Sequence, residues 1–177
     1  MREVSLTDAL DAKEKKFATQ KSLLKTFGTT LVCFCVNYVG KIKKDACTEI
    51  IFKEGAHAFD ETFASKTVFK RFDFCFTGDT AYFCVDADAK EVKLALCEVE
   101  KNHPLGRLFD FDVFDQAGNG VDRQSVGLPQ RKCLLCDRDA RECYILRSHP
   151  TEQLKQKIID TVDAFCRRST KGEPNVF

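Results

Sequence analysis

The stretch HPLGRLFDFDVFD, residues 103–115, places two aspartates inside an otherwise apolar run. Its alternation predicts a β-strand, on which residues two apart point to the same face. We therefore expect Asp110 and Asp112 to project side by side, with Phe109 and Phe111 on the opposite face. Two neighbouring carboxylates repel each other unless a cation lies between them. The strand is then either a solvated edge of a sheet or part of a cation site.

The segments on either side of this stretch predict an α+β fold. Strands are expected where β-branched and aromatic residues concentrate or alternate, at 29–38, 67–87 (a hairpin), 108–114 and 121–126, the last returning after the turn DQAGNG. Helices are expected where apolar residues recur at helical spacing, at 5–27, 45–65, 88–101 (which also fits a strand) and 150–167. The tail 169–177 is expected to fray. We expect a single domain over 1–177, with a mixed or antiparallel sheet and flanking helices.

Composition narrows the class of protein. The chain has 177 residues, of which 31% are charged and 44% hydrophobic, as is typical of globular domains. A formal net charge of +1 gives no global attraction to nucleic acid or to an anionic membrane. No apolar run is long enough to span a bilayer, and the N-terminus lacks a hydrophobic signal segment, so we expect a cytoplasmic protein. There, the ten cysteines are expected to be reduced core residues or metal ligands.

The neighbours of the aspartate pair favour phosphate chemistry. Mg²⁺ takes oxygen ligands and often combines one or two carboxylates with substrate phosphates. In the loop PLGR, Gly106 is a residue at which backbone amides can approach a phosphate. Forked donors for phosphate oxygens are available from Arg107, Arg123 and Arg131. If the hairpin closes at DQAGNG, we expect Arg123 to lie across from Asp112.

Other basic residues leave alternatives open. His103 lies beside the glycine loop, where it suits a contact with a leaving pyrophosphate or an adenine, or a loop-capping role. Lys43, in the loop GKIKKD, suits phosphate binding or simple solvation. Lys13, Lys15 and Lys16 are interpreted as the solvated face of the first helix.

A group of cysteines follows the hairpin, in the irregular segment 128–150. The spacing is Cys133-x2-Cys136-x6-Cys143-x5-His149. Three thiolates and one imidazole complete a tetrahedral structural zinc site and leave no open position for catalysis. The alternative is a set of reduced, partly buried cysteines beside a surface histidine. Cysteines elsewhere in the chain lie in apolar patterns and are expected in the core.

Two stretches carry a resemblance to a known family. NHPLGRLFDFDVFDQAGNGVDR and LPQRKCLLCDRDARECYILRSHP resemble the citrate lyase holo-acyl-carrier-protein synthase family, also called apo-citrate lyase phosphoribosyl-dephospho-CoA transferase. The pattern G-x-x-x-D-x-D on a strand also resembles the metal motif of the nucleotidyltransferase superfamily, so the resemblance implies a nucleotidyltransferase-like fold.

The resemblance implies a reaction and its partners. The phosphoribosyl-dephospho-CoA group of 2'-(5''-triphosphoribosyl)-3'-dephospho-CoA is transferred to a serine of the acyl carrier (gamma) subunit of citrate lyase, and pyrophosphate leaves. Asp110 and Asp112 would hold Mg²⁺, while Gly106 and the three arginines would hold the triphosphate. Two alternatives stay open: a zinc-stabilised interaction module without catalysis, and the same chemistry on another carrier protein.

Overall fold

One antiparallel sheet forms the centre of the fold in this computed structural model, which describes residues 2–170. Its five strands within those residues are β1 (Thr30–Val36), β2 (Thr67–Asp73), β3 (Thr80–Val85), β4 (Phe109–Phe114) and β5 (Gly120–Val121). They lie in the order β2-β3-β1-β4-β5, and each neighbouring pair is antiparallel. The predicted α+β class is confirmed, and of the two sheet types considered the antiparallel one is found.

Five α-helices of the described chain flank the sheet: α1 (Leu6–Phe27), α2 (Ala46–Phe63), α3 (Ala89–Asn102), α4 (Ala140–Ile145) and α5 (Thr151–Thr170). Ser5 and Asp8 form a capping box at the start of α1, and Gly28 ends that helix at φ 61°, a conformation that glycine adopts without strain. The ambiguous segment 88–101 is a helix, and Asp88 caps it. Of the tail that was predicted to fray, 171–177 lies outside the described residues.

The main core lies between one face of the sheet and the helices α2, α3 and α5. Phe34 of β1 and Phe111 of β4 are buried there, with ring centroids 4.6 Å apart. Gly55 of α2 lies against Phe34, and a Cβ on this glycine would come within 2.1 Å of the ring. The glycine thus allows α2 to approach the sheet closely. Phe109 is also buried in this core, so the phenylalanines of β4 point away from the aspartates, as the alternation predicts.

Helix α1 covers part of the opposite face. A smaller apolar cluster there is formed by Leu23, Leu31, Cys33, Tyr82 and Cys84. In the strand register, Cys33 lies beside Asp112 and Cys35 beside Asp110. The aspartates therefore extend from the same face that α1 partly covers.

The returning strand after the turn is shorter than predicted. Asp115 and Asn119 close the turn, with the Asp115 amide donating to the Asn119 carbonyl over 2.9 Å, but only Gly120 and Val121 pair with β4. Asp122 then accepts a hydrogen bond from the Ser125 amide over 2.8 Å. Such a local side-chain acceptor competes with strand pairing, and a 3₁₀ turn follows at Gln124–Val126.

No helix within residues 2–170 is both long and apolar enough to cross a membrane.

Candidate functional site

The aspartate pair lines a cavity of about 630 Å³ beside β4, which we call the first cavity. Asp110 is partly buried and Asp112 exposed, whereas Phe109, Phe111 and Val113 between and beside them are buried. The strand periodicity therefore predicted the shared face of the aspartates correctly. Both carboxylates open into the first cavity.

Each aspartate is paired with one cation. Arg131 Nη1 donates to Asp110 Oδ1 over 3.3 Å, and Lys16 Nζ lies 3.3 Å from Asp112 Oδ2. Burial, followed by the nearby charge of Asp112, still raises the pKa of Asp110 above that of an ordinary aspartate. Burial therefore disfavours the ionised form of Asp110 despite its pairing with Arg131, and a cation bound beside the pair would favour that form.

Lys16 is a functional candidate that the sequence pattern missed, because its helical position predicted a solvated side chain. Its ammonium also lies 3.4 Å from Cys35 Sγ. Burial by itself lowers the pKa of Lys16, but the neighbouring Cys35 and Asp112 raise it above the ordinary value. Lys16 therefore stays protonated beside the aspartate pair.

A buried carboxylate of α3 holds two of the predicted arginines. Glu100 is only 3% exposed, and its two oxygens accept hydrogen bonds from Arg123 and Arg131 respectively. A buried carboxylate is tolerated only with such compensation. The expectation that Arg123 lies across from Asp112 is wrong, because β5 ends at Val121 and Arg123 turns toward α3.

The arginines concentrate positive charge on one wall of the first cavity. Arg107 lines it and donates a hydrogen bond to the carbonyl of Lys132. Burial, and then the proximity of Arg131 and Arg123, lowers the pKa of Arg107. Lys93 of α3, which the sequence pattern did not single out, adds a buried ammonium whose Nζ donates to the Phe111 carbonyl over 2.8 Å. Forked cationic donors against a carboxylate pair suit a phosphorylated ligand that carries a metal ion.

Two residues predicted to bind substrate are instead packed away from this cavity. The Gly106 amide donates to the His103 carbonyl over 2.8 Å, and a Cβ on Gly106 would lie 2.3 Å from the Glu100 carbonyl oxygen. His103 is buried, and its Nδ1 accepts from the Leu105 amide over 3.0 Å. Burial, with a smaller contribution from His57, lowers the pKa of His103 to about 4. The structure thus gives Gly106 a packing role and His103 a neutral, buried one.

Lys43 lies apart from the first cavity. Its Nζ donates to the Tyr38 carbonyl over 2.7 Å, and the residue lines a second cavity, of about 310 Å³, beside α1. Burial lowers the pKa of Lys43. Any role of this lysine therefore belongs to the second cavity.

The cysteine-rich segment gathers its predicted ligands. Cys133, Cys136, Cys143 and His149 place one ligand atom each within 4.8 Å of all the others. The segment is folded by a bridge between Lys132 and Asp139, and Asp139 caps α4, which carries Cys143. Hydrogen bonds from the backbone of Arg138 and from His149 lower the pKa of Cys136 to about 6, which favours the thiolate form that binds metal. This group can hold a metal ion, and Cys133, Cys143 and His149 line the first cavity.

Comparison with known families confirms the resemblance in the sequence. The model of the family described as apo-citrate lyase phosphoribosyl-dephospho-CoA transferase matches residues 4–165. That match includes the aspartate pair, the three arginines and the whole Cys₃His group.

Individual relatives are similar in sequence to this chain over most of their length. A Vibrio cholerae protein named probable apo-citrate lyase phosphoribosyl-dephospho-CoA transferase is 38% identical over 169 residues, which cover 92% of this chain and 94% of that protein. Proteins named apo-citrate lyase phosphoribosyl-dephospho-CoA transferase are 33% identical in Escherichia coli O7:K1, covering 91% of each chain, and 33% identical in Citrobacter koseri, covering 85% of this chain and 84% of that protein. With a family match over most of the chain and relatives at this identity, the chain belongs to the apo-citrate lyase phosphoribosyl-dephospho-CoA transferase family.

Proposed function

We propose that this protein transfers the phosphoribosyl-dephospho-CoA group from 2'-(5''-triphosphoribosyl)-3'-dephospho-CoA to a serine of the apo-acyl carrier subunit of citrate lyase. The observation that carries the proposal is the first cavity, in which Asp110 and Asp112 face a cluster of guanidinium groups. The names of the relatives describe a transferase of the phosphoribosyl-dephospho-CoA group and apo-citrate lyase, which supports the proposal. The reaction would be of the nucleotidyltransferase type.

In the proposed reaction, the serine hydroxyl oxygen attacks the α-phosphorus of the donor. A new phosphorus–oxygen bond forms to the carrier, and the bond between the α-phosphorus and the oxygen bridging to the β-phosphorus breaks. Pyrophosphate leaves with that oxygen, and a carboxylate of the aspartate pair accepts the serine proton. No oxidant, reductant or further substrate is needed.

The donor set of the aspartate pair fits Mg²⁺. Both side chains offer hard oxygen ligands on one face of one strand, and both line the first cavity. Asp110 and Asp112 would hold the ion. When bound, Mg²⁺ would neutralise phosphate charge and the charge that develops on the leaving pyrophosphate.

The cationic groups of the cavity would bind and orient the triphosphate. Arg107, Arg123 and Arg131 present planar donors that match phosphate oxygens, and Glu100 fixes two of them before substrate arrives. Groups that are already in place need little reorganisation during the reaction, and such preorganised charge is usually the largest contribution to catalysis. Lys16, beside Asp112, would place a further positive charge next to the reacting phosphate.

The Cys₃His group would hold zinc in a structural role. Three sulfur ligands and one imidazole within 4.8 Å of one another suit a tetrahedral Zn²⁺. Because Arg131 lies two residues before Cys133, an ion there would help to fix this arginine at the cavity wall. All ten cysteines are free, which suits the reducing cytoplasm that we infer as the site of action.

The test is mass spectrometry of the apo-carrier of citrate lyase incubated with this protein, triphosphoribosyl-dephospho-CoA and Mg²⁺. We expect the mass of the carrier to increase by one phosphoribosyl-dephospho-CoA group, and pyrophosphate to appear in equal amount. A carrier in which the acceptor serine is alanine is the matched control and stays unmodified. An unchanged mass of the wild-type carrier would reject the proposal and favour the non-catalytic module. Modification of another apo-carrier alone, such as that of malonate decarboxylase, would reassign the acceptor.

A further inference from the structure

The second cavity is distinct from the first and is strongly cationic. It lies on the side of the sheet covered by α1, between the N-terminal half of that helix, the end of β1 and the start of β3. Its charged lining consists of Lys13, Lys15, Lys16, Lys43, Asp73 and Asp79. Four positive side chains thus face two negative ones.

The two carboxylates of this lining are already neutralised by other residues. Asp73 accepts from Arg71 Nε over 2.8 Å, and Asp79 lies 3.0 Å from Lys44 Nζ; neither Arg71 nor Lys44 is part of the lining. Lys16 is likewise paired with Asp112, so the charge that the cavity presents to a ligand comes from Lys13, Lys15 and Lys43.

Lys43 is the lysine most clearly prepared for an anion. It is half-buried, its ammonium donates to the Tyr38 carbonyl, and none of the carboxylates within residues 2–170 forms a salt bridge with it. Keeping a cation in a buried position without a counter-charge is costly. An anionic ligand in the cavity would supply that counter-charge.

The two cavities are neighbours, because a lining residue of one forms an ion pair with a lining residue of the other. Lys16 lines the second cavity and Asp112 the first, and the Lys16 ammonium lies 3.3 Å from the Asp112 carboxylate. The second cavity also has aromatic walls, formed by Tyr38, Phe52 and Tyr82. A ligand with phosphates at two places and an apolar or ring-bearing part between or beside them could occupy both cavities at once.

The donor of the proposed function has this composition. Besides the triphosphate at its reacting end, it carries a second, diphosphate group within the dephospho-CoA part, next to an adenine and a long pantetheine arm. We propose that the second cavity is the subsite for the diphosphate-bearing dephospho-CoA part of the donor, with Lys43 as its principal anion ligand. This inference rests on the proposed function for the identity of the ligand.

The test measures binding of 3'-dephospho-CoA, which lacks the triphosphoribosyl group, by isothermal titration calorimetry. We expect Lys43→Met to raise its dissociation constant about tenfold, as for a lost charge-assisted hydrogen bond. Lys15→Met changes an exposed lining residue with little risk to folding, and we expect roughly a threefold increase from the loss of one nearby charge. Lys41→Met is the matched control, because Lys41 is in the same loop but outside the cavity and pairs with Glu3; its dissociation constant should equal that of the wild type.

Three results would overturn the proposal. The first is that wild-type protein does not bind dephospho-CoA. The second is that wild type, Lys43→Met and Lys15→Met bind it with equal dissociation constants. The third is weaker binding of the apo-carrier by these variants with dephospho-CoA binding unchanged, which would make the cavity a docking site for acidic residues of the carrier. Failure of the proposed function is separable: the carrier mass would stay unchanged with wild-type protein even where dephospho-CoA binding depends on Lys43.

Discussion

The aspartate pair and the Cys₃His group border the same cavity, yet the chain holds them in place by different means. β4 pairs with β1 along its whole length, and its alternate residues are buried in the main core. In the segment 128–150 only Cys143 is buried, and Tyr144, Ile145 and Leu146 are 84%, 70% and 60% exposed. The oxygen ligands are thus positioned by the sheet before any ion binds, whereas the sulfur ligands have little apolar core to position them. Under the proposed function, the first site would use a metal ion for chemistry, and the second would use one for its structure.

The largest expected effect is on the aspartate pair. Asp110→Asn removes a ligand charge from the first cavity without changing the shape of the side chain. We expect the rate of carrier modification to fall by about a thousandfold, while the melting temperature stays within a few degrees of the wild type because β4 is held by its neighbours.

The matched control for this variant is Asp115→Asn, one residue after the same strand and outside the first cavity. We expect its rate to stay close to that of the wild type. A comparable loss of rate in both variants, or none in Asp110→Asn, would contradict a metal role for the pair.

Glu100→Gln tests whether the arginines are held from α3 or from the cysteine-rich segment. Removing the carboxylate charge takes from Arg123 its carboxylate partner and leaves Arg131 with Asp110 alone. We expect a loss of about 3 kcal/mol in the free energy of unfolding in urea, and a rate roughly tenfold lower or less. Glu98→Gln, an exposed position on the same helix, should change stability by less than about 0.5 kcal/mol.

The zinc content of Glu100→Gln is a second measurement on this variant. We expect the zinc content of this variant to match the wild type, because Glu100 contacts no residue of the Cys₃His group directly. A variant that loses zinc together with its arginine contacts would show that the two regions depend on each other.

Cys136→Ser tests the structural site. We expect the purified protein to lose its zinc by elemental analysis, and the melting temperature to fall by roughly 4–8 °C, as for a loss of about 2 kcal/mol in a chain of this size. Hydrogen exchange should accelerate in 130–149 and stay slow in β4. Cys166→Ser, outside the group, should keep its zinc; a zinc content near zero in the wild type would contradict the site.

The smallest expected effect is the pH dependence from Asp110. Its pKa is raised in the folded state, so the folded protein binds its proton more tightly than the unfolded chain, and this residue costs stability as pH rises through that raised value. In metal-free protein, Asp110→Asn should therefore be slightly more stable than the wild type at pH 7, by roughly half a kcal/mol or less after solvent screening. The difference should vanish below the ordinary aspartate pKa, and unfolding curves across this pH range would show it. A difference of the opposite sign would mean that Arg131 outweighs burial.

The parts of the site that depend on residues close in sequence were predicted correctly. The shared face of Asp110 and Asp112 follows from the period of a strand, and the grouping of Cys133 and Cys136 follows from their spacing. Contacts between residues far apart in sequence could not be predicted from such patterns. Lys16 and Glu100 lie on helices whose charged positions predict solvent exposure. Only the docking of α1 and α3 on the sheet brings them into contact with Asp112 and Arg131, which line the first cavity.

The remaining differences between prediction and structure arise from local contacts that the sequence pattern does not reveal. The predicted strand 121–126 stops early because Asp122 binds the Ser125 amide. Gly106 was interpreted as a phosphate-binding glycine, but the close approach of the Glu100 backbone is what a side chain at this position would obstruct. A glycine in a loop indicates that another group lies too close for a side chain. The sequence alone does not identify that group as a ligand or as another part of the backbone.

The hydrogen bond from Lys93 to the Phe111 carbonyl also bears on self-association. With β5 ending at Val121, the edge of β4 would otherwise offer unpaired backbone groups to an incoming strand, which is how sheets extend into aggregates. A buried ammonium at that carbonyl opposes such an addition, because a new strand would have to displace the lysine from its acceptor and leave a buried charge without that hydrogen bond. The open edge beside the first cavity is in this way protected against another copy of the chain.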